Sequence, residues 1–388
     1  MSGGGDSMAL LDLLAGQRSG PTIKAVTLDH GLRPGAAEDI ALVARYCHDR
    51  GIGHTVLHWQ GAASEGNLMA AAREARYRLI SAWAHEAGVE AMALGHTEDD
   101  QAETVLMRLA RASGVDGLAQ MQPTFHAHAM IWHRPLLAVS RADLRAYLTA
   151  RGLPWREDPS NADPRFERVK ARQALDVLEP LGIDRQTLAQ VSRNMERARA
   201  ALQHVTSAAA AQVVAVDRGD VIIDAKALGA LPEEIVRRLL LAALHWITGA
   251  PYTPRAQAVA QILPALAASG RHTLAGCLLS QEDPPHGPIR ITREWQAVRD
   301  TRSTSDGLWD NRWCCTGPHE PGLEVRALGD GLTTVQDWRD ANMPRESLLA
   351  SPAIWREGTL IAAPLAGFGP DWTAKLTKER DDFAATLY

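Results

Sequence analysis

Between positions 22 and 95 the chain alternates short apolar, β-rich runs with longer stretches in which apolar residues return every three or four positions. The runs at 22–28, 54–59 and 91–94 predict strands, and the stretches at 37–50 and 68–87 predict helices with one buried face. Strands separated by helices of this length build βαβ units and a parallel sheet covered on both faces. In such sheets ligands sit beyond the carboxyl ends of the strands, so polar clusters that follow a predicted strand are the first place to look for chemistry.

After Gly117 the alternation fades. Ser140 is placed to cap a helix that carries Asp143 in its first turn and stops at Gly152. A long helix rich in Arg and Ala is expected over 184–208, then a hairpin-like stretch and two helices within 213–270, the second opened by Thr253-Pro254. A region punctuated by Pro, Gly and Trp, 281–322, reads as a connector, and the stretch to Tyr388 mixes short strands and turns. The expected organisation is α/β: a parallel-sheet catalytic domain over 1–183, a mainly helical domain over 184–300 and a small α+β domain over 320–388.

A chain of 388 residues that is 46% hydrophobic exceeds one ordinary core, which fits this division. Its formal net charge of -5 means that any contact with nucleic acid must come from local basic patches. The four cysteines, Cys47, Cys277, Cys314 and Cys315, form no CxxC pair, which argues against a zinc ribbon or iron–sulfur cluster and fits a reducing compartment. No signal peptide is evident and no apolar run approaches the ~20 residues that span a bilayer, so a cytoplasmic protein without a membrane segment is expected.

Ser2-Gly3-Gly4-Gly5-Asp6-Ser7 runs directly into the apolar helix start Met8-Ala9-Leu10-Leu11. Glycines let the backbone approach an anion, hydroxyls donate to phosphate oxygens, and a helix amino end adds partial positive charge. The loop lacks the Lys of a Walker-type sequence, which disfavours γ-phosphate transfer; a flexible leader reads similarly but would not continue into an amphipathic helix. Asp29-His30-Gly31 follows the first predicted strand, as a ligand-edge cluster or an ordinary polar turn. Arg73 and Arg76 share a helix face and either clamp an anion or face solvent. After the strand at 91–94, Gly95-His96-Thr97 leads into a helix bearing Asp99, Asp100 and Glu103. These acids favour the helix start electrostatically; their mutual repulsion also suits a bound Mg2+ or substrate amine. Arg165, Arg168 and Arg172 recur at helical spacing around Lys170, as a phosphate-backbone contact or a solvated face.

In this order the blocks SGGGDS, LDHGLRP, GNLMAAAREARYRLI, GHTEDDQAETVLMRLARASGVDGLAQM, RPLLAVSRADLRAYL and EDPSNADPRFERVKAR resemble tRNA(Ile)-lysidine synthetases of the N-type ATP pyrophosphatase (PP-loop) superfamily. The resemblance covers about the first 180 residues. It implies an adenine nucleotide α-hydrolase-like fold and a two-step reaction, in which ATP adenylates the wobble cytidine of a CAU-anticodon tRNA(Ile) and free lysine then displaces AMP. Under that resemblance ATP is held by Ser2, Gly3, Gly4, Gly5, Asp6, Ser7, Asp29, His30 and His96, and Mg2+ by Asp6 and Asp99. Lysine falls to Asp100, Glu103 and Arg76. Asp6, Asp100 and Arg76 become the catalytic set, with Asp100 the base. The tRNA is assigned to Arg165, Arg168, Lys170 and Arg172, with Arg193, Arg197, Arg199, Arg237 and Arg238 further on; a homodimer is compatible. Family members carry a strand before the phosphate loop, whereas this chain opens inside the loop, for which a start assigned too late is the expected reason. The alternatives are a tRNA 2-thiolation enzyme of the same superfamily and a catalytically inactive tRNA-binding remnant.

Overall fold

The computed structural model describes residues 1–17, 20–31, 35–59, 68–157, 163–250, 254–377 and 383. Contacts divide the chain into two compact units, Met1–Arg199 and Ala200–Tyr388.

The first unit comprises, in chain order, α1 (Gly5–Ala15), β1 (Lys24–Asp29), α2 (Ala36–Asp49), β2 (Gly53–His58), α3 (Leu68–Glu86), β3 (Ala91–Ala93), α4 (Glu98–Leu109), α5 (Val115–Leu118), β4 (Thr124–Ala127), β5 (Met130–His133), α6 (Arg141–Ala150) and α7 (Glu167–Leu178). The division between the units falls inside α8 (Arg185–Val213). β1 and β2 pair in parallel from Lys24↔Gly53 to Asp29↔His58, and β3 pairs in parallel with β5. The expectation of one parallel sheet needs correction: β1 and β2 form one sheet and β3, β5 and β4 another, in which β4 folds back on β5 as an antiparallel hairpin. Successive residues of β1 point to opposite faces. Ala25 enters a core with Met8, Leu11, Val43, Leu144 and Leu148, whereas Val26 enters another with Tyr77, Ile80, Met130 and Trp132. This two-sided burial is what a crossover sheet demands. Arg33, Pro34, Asn67 and the stretch 158–161 of the sequence motifs lie outside the described residues.

In the second unit the hairpin expected after 213 is present as β6 (Val214–Asp217) and β7 (Asp220–Ile223). Next come α9 (Ala225–Gly229), α10 (Glu233–Thr248), α11 (Ala256–Ala260), α12 (Ile262–Ser269), β8 (Arg271–Leu274), β9 (Cys277–Gln281) and β10 (Ile289–Arg293). α11 starts at Ala256, beyond the expected Thr253-Pro254 opening, of which Thr253 is outside the described residues. Helices hold most of 184–300, and beside them β6 to β10 form one antiparallel sheet that sequence reading did not foresee, β6-β7-β10-β9-β8, whose Val221, Ile223, Leu279 and Ile291 share a core with Leu239 and Leu240 of α10. β9 shows the inside–outside alternation of a half-buried strand, but at five residues between Gly276 and a Pro-rich turn the signal is too short to stand out from connector sequence. The stretch 281–322 is likewise structured. It holds β10, β11 (Arg302–Thr304), β12 (Leu308–Trp309) and β13 (Trp313–Thr316), and its Trp309 and Trp313 are core residues. β14 (Leu323–Ala327), β15 (Pro352–Arg356), β16 (Thr359–Ala362) and β17 (Thr373–Leu376) complete two further antiparallel sheets, β11-β14-β15-β16 and β12-β13-β17.

Candidate active site

Three helix amino ends meet in the first unit. At α4, Thr97 and Asp100 form a capping box: the Thr97 amide and hydroxyl donate to Asp100 Oδ2 at 2.9 and 3.0 Å. At α6, Ser140 accepts from the Asp143 amide, and the Arg141 amide donates to Asp99 Oδ2 at 2.7 Å, which ties α6 to α4. At α1 the cap position is Gly4 and no side chain caps the helix. Of the three, α1 is thus the end whose first amides remain for a ligand.

The loop before α1 is shaped for that purpose. Gly3 has φ +70°, and a Cβ there would lie 3.2 Å from Asp39 Cβ. Ser2 Oγ and Ser7 Oγ are 3.1 Å apart, and Ser7 Oγ donates to Gly4 O at 2.9 Å. The carbonyl of Gly3 accepts from the Arg156 amide at 3.0 Å. Gly95, just after β3, packs on the backbone of Asp6, where a Cβ would sit 3.1 Å from Asp6 O. The carboxyl end of β3 is thus pressed directly against the first turn of α1.

Arg141 joins the three helices electrostatically. Its Nε donates to Asp6 Oδ2 at 3.2 Å, its Nη1 to Glu103 Oε1 at 3.2 Å, and its Nη2 lies 3.5 Å from Asp100 Oδ1. Burial opposes its charge, but Asp100, Glu103, Asp6 and Asp99 outweigh burial and push the guanidinium further up, so it stays protonated. Arg168 donates to Asp100 Oδ1 at 3.1 Å and Arg172 to Glu103 Oε1 at 2.9 Å, while Arg185 lies 3.3 Å from Asp99 Oδ1. The repulsion expected among the α4 acids is therefore relieved by arginines. For Asp100, burial raises the pKa, yet Arg168, Arg141 and the Thr97 amide more than reverse this and leave it lowered. For Asp6, burial outweighs the pull of Arg141 and leaves the pKa raised. Asp6 Oδ1 and Glu103 Oε2 are buried acceptors with no hydrogen-bond partner among the described residues.

The remaining residues singled out in the sequence divide into groups. His96 follows Gly95, and its Nδ1 accepts from Arg134 Nε at 3.1 Å. Burial holds this imidazole down to about 4, with Arg134, Arg168 and Arg73 adding to the effect and Asp100 opposing it. Arg76 keeps exposed surface, but its guanidinium is crowded by protein, and this desolvation, with Arg73 and Arg168, lowers its pKa against the opposing pull of Tyr77. Asp29 and His30 close the end of β1, where Asp29 accepts from the Gly31 amide at 2.9 Å and His30 packs edge-on against Trp59. The basic stripe does not form a single face. Arg165 precedes α7 and pairs with Asp163 at 2.7 Å, Lys170 is exposed, and Arg168 and Arg172 turn inward to Asp100 and Glu103. Further along, Arg193 reaches Glu98 at 3.5 Å, Arg197 and Arg199 bond within α8, and Arg237 and Arg238 bond Glu234. Sequence reading missed Arg141, although its place directly after the cap Ser140 at a helix opening was a usable signal. A pocket of about 430 Å3 opens beside it, lined by Asp99, Arg145, Arg172 and Arg185.

A crossover sheet, an uncapped glycine–serine turn at a helix start and an acid–arginine network beyond β3 define a PP-loop nucleotide-binding protein, and residues 1–178 match the model of the PP-loop domain. Relatives match over much more of the chain. The tRNA(Ile)-lysidine synthase of Ruegeria pomeroyi is 47% identical over 390 residues, covering 100% of this chain and 92% of the relative. That of Wolbachia sp. subsp. Brugia malayi is 31% identical over 373 residues, 93% and 86% of the two chains, and that of Rhodopseudomonas palustris is 39% identical over 297 residues, 72% and 86%. The chain belongs to the tRNA(Ile)-lysidine synthase family. No helix among the described residues is long and apolar enough to cross a membrane.

Proposed function

We propose that the protein ligates lysine to C2 of the wobble cytidine of CAU-anticodon tRNA(Ile), using ATP through an adenylated-cytidine intermediate. Family membership supports the reaction. The observation that supports the site is the Asp6–Arg141–Glu103 connection, which joins the uncapped end of α1 to the acids of α4.

In the first step the cytidine O2 attacks the α-phosphorus and the bond to pyrophosphate breaks. Amides at the start of α1, with Ser2 and Ser7, hold the phosphates; Asp29, His30 and His96 complete the nucleotide site. His96 serves as a neutral donor, since Arg134 can only donate to Nδ1 and so leaves the proton on Nε2. Mg2+, when bound with ATP, supplies charge neutralisation as pyrophosphate leaves. Asp6 suits that ion through its unpartnered Oδ1, because Mg2+ is commonly held by one or two carboxylates plus substrate phosphates. Asp99 fits it poorly, since Arg141 N and Arg185 occupy its oxygens.

In the second step the lysine ε-amine attacks C2, AMP departs with the original oxygen, and the amine sheds a proton. Asp100, Glu103 and Arg76 are the residues for lysine, Arg76 facing its carboxylate or the AMP phosphate. Asp100 is a weak candidate for the base, because Thr97, Arg168 and Arg141 engage both of its oxygens. Glu103 Oε2 is the open acceptor, which moves the proton-accepting role there. Arg165 and Lys170 remain for tRNA phosphates.

The test is to incubate the protein with ATP, isotope-labelled lysine and CAU-anticodon tRNA(Ile), and to weigh the modified nucleoside. One lysine gained per AMP and pyrophosphate released is expected. Sulfur incorporated, or nothing, overturns the reading.

A further inference from the structure

We infer that Asp12 is a positioning residue that locks α1 to α6 in the register bringing Asp6 to Arg141. The inference rests on the reading of that pair as part of the adenylation site. Asp12 lies on α1 six residues beyond Asp6, about 9 Å further along the axis, and is only 2% exposed.

Its carboxylate is fully engaged. Oδ2 accepts from Tyr147 at 2.5 Å and Arg151 Nε at 3.0 Å, both near the carboxyl end of α6 or just past it. Oδ1 accepts from Tyr46 of α2 at 2.5 Å, and Arg50 at the end of α2 lies 3.6 Å away. Burial acts to raise the Asp12 pKa, but the bonds from Tyr147, Tyr46 and Arg151 reverse this and hold it low. Two tyrosine hydroxyls donating to different oxygens require acceptors on both, which a carboxylate supplies and an amide does not.

The register is the telling feature. Asp6 meets Arg141 and Asp12 meets Tyr147, and both pairs are 135 residues apart. α1 and α6 therefore run parallel, amino ends together, tied at the active site and again nearly two turns away. A slip of one residue would shift Asp6 by about 1.5 Å relative to Arg141 and undo their contact. Every partner named for Asp12 belongs to α2, α6 or their ends, so its influence on the phosphate loop passes through helix placement. Misplacement of this size is enough to slow chemistry about a hundredfold.

The experiment measures pyrophosphate release by Asp12→Asn in the full-length protein, at a temperature where circular dichroism shows it folded. The expected result is a fall in kcat of at least about tenfold, with the KM for ATP and the Kd for tRNA changed less than about twofold. In an Arg141→Lys background the same substitution should cost less than about twofold more, because the contact that Asp12 positions is already altered. A folded Asp12→Asn protein with wild-type kcat, or a loss that multiplies with that of Arg141→Lys, overturns the inference. Should Asp12→Asn fail to fold, Tyr147→Phe carries the same comparison: a loss of kcat that disappears in the Arg141→Lys background supports it, and no loss overturns it. A wild-type protein that releases no pyrophosphate instead overturns the functional reading. In that case crystal structures still judge Asp12, by whether the Asp6–Arg141 separation opens beyond hydrogen-bond range in Asp12→Asn.

Discussion

Arg141 Nε lies 3.2 Å from Asp6 Oδ2 across 135 residues of sequence, at the amino ends of two parallel helices. The pair is largely buried, with side-chain exposures of 14% for Arg141 and 25% for Asp6. Replacing Arg141 by Met keeps bulk but leaves Asp6 and Glu103 short of countercharge. A loss of about 3–5 kcal/mol in stability is expected, as for breaking a buried pair from one side. Pyrophosphate release should fall at least about a hundredfold. Denaturant titration and a release assay check both; a Met variant as stable and fast as the wild type would refute the central role of Arg141.

Replacing Asp6 is expected to separate chemistry from tRNA binding. Its Oδ1 is the open acceptor at the phosphate loop, and Arg165 and Lys170 lie on other elements. Asp6→Ala should reduce pyrophosphate release by about a hundredfold or more, while tRNA affinity stays within about twofold. Filter binding alongside the release assay distinguishes this from general damage, which would move both.

His96 gives the protein a stability term that depends on pH. Burial, with Arg134, Arg168 and Arg73, holds its pKa down to about 4 from 6.5. Between those values the unfolded chain takes up a proton that the folded chain refuses. His96 therefore removes stability as pH falls from 6.5 towards 4, at up to about 1.4 kcal/mol per pH unit, and removes none above about pH 7. Urea unfolding at pH 7, 6 and 5 should show a shallower decline for His96→Gln than for the wild type. Parallel declines would show that the ring titrates normally.

The strand and helix order from β1 to α4 was legible because βαβ units write two different periods into adjacent segments, and capping residues such as Thr97 and Ser140 mark where helices open, whereas the four-residue strands β4 and β5 went unread. The acids of α4 were legible as a group, but their partners were not. Arg168 and Arg172 sit on α7, and helical spacing alone cannot say whether a basic face turns to solvent or to buried carboxylates 68 and 69 residues away. Arg141 was marked by its place after the cap Ser140, but its partners Asp6 and Glu103 were hidden for the same reason. The second unit was misread where strands are short: two- to five-residue strands between glycines and prolines carry too few periods to separate from loop, and Trp309 and Trp313 looked like punctuation although they are core.

Gly95 tests the contact between strand and phosphate loop. A Cβ at this position would lie 3.1 Å from Asp6 O and 3.2 Å from Asp6 C, against backbone that has no rotamer to escape through. Gly95→Ala should cost about 1–3 kcal/mol through local overpacking. Because Asp6 must move to make room, pyrophosphate release should also slow at least about tenfold. Thermal unfolding and release kinetics together check this, and a fully active Ala variant would mean that the β3–α1 contact does not set the position of Asp6.

The inward turn of Arg168 splits the basic segment into two experimentally separable parts. Arg165 is 85% exposed though paired with Asp163, and Lys170 faces solvent, so both are accessible to phosphates, whereas Arg168, 43% exposed, donates to the buried Asp100. Replacing Arg165 and Lys170 together by Ala should weaken tRNA binding and lower the slope of log affinity against log salt by about 1.5, the value for roughly two lost phosphate contacts. Arg168→Ala should leave that slope nearly unchanged and slow lysine transfer, because it removes a countercharge from Asp100. Binding measured across a salt series, paired with lysine incorporation, discriminates the two. If Arg168→Ala lowers the salt slope as much as the double variant while incorporation per bound tRNA stays normal, the residue serves the nucleic acid and its bond to Asp100 is incidental to catalysis.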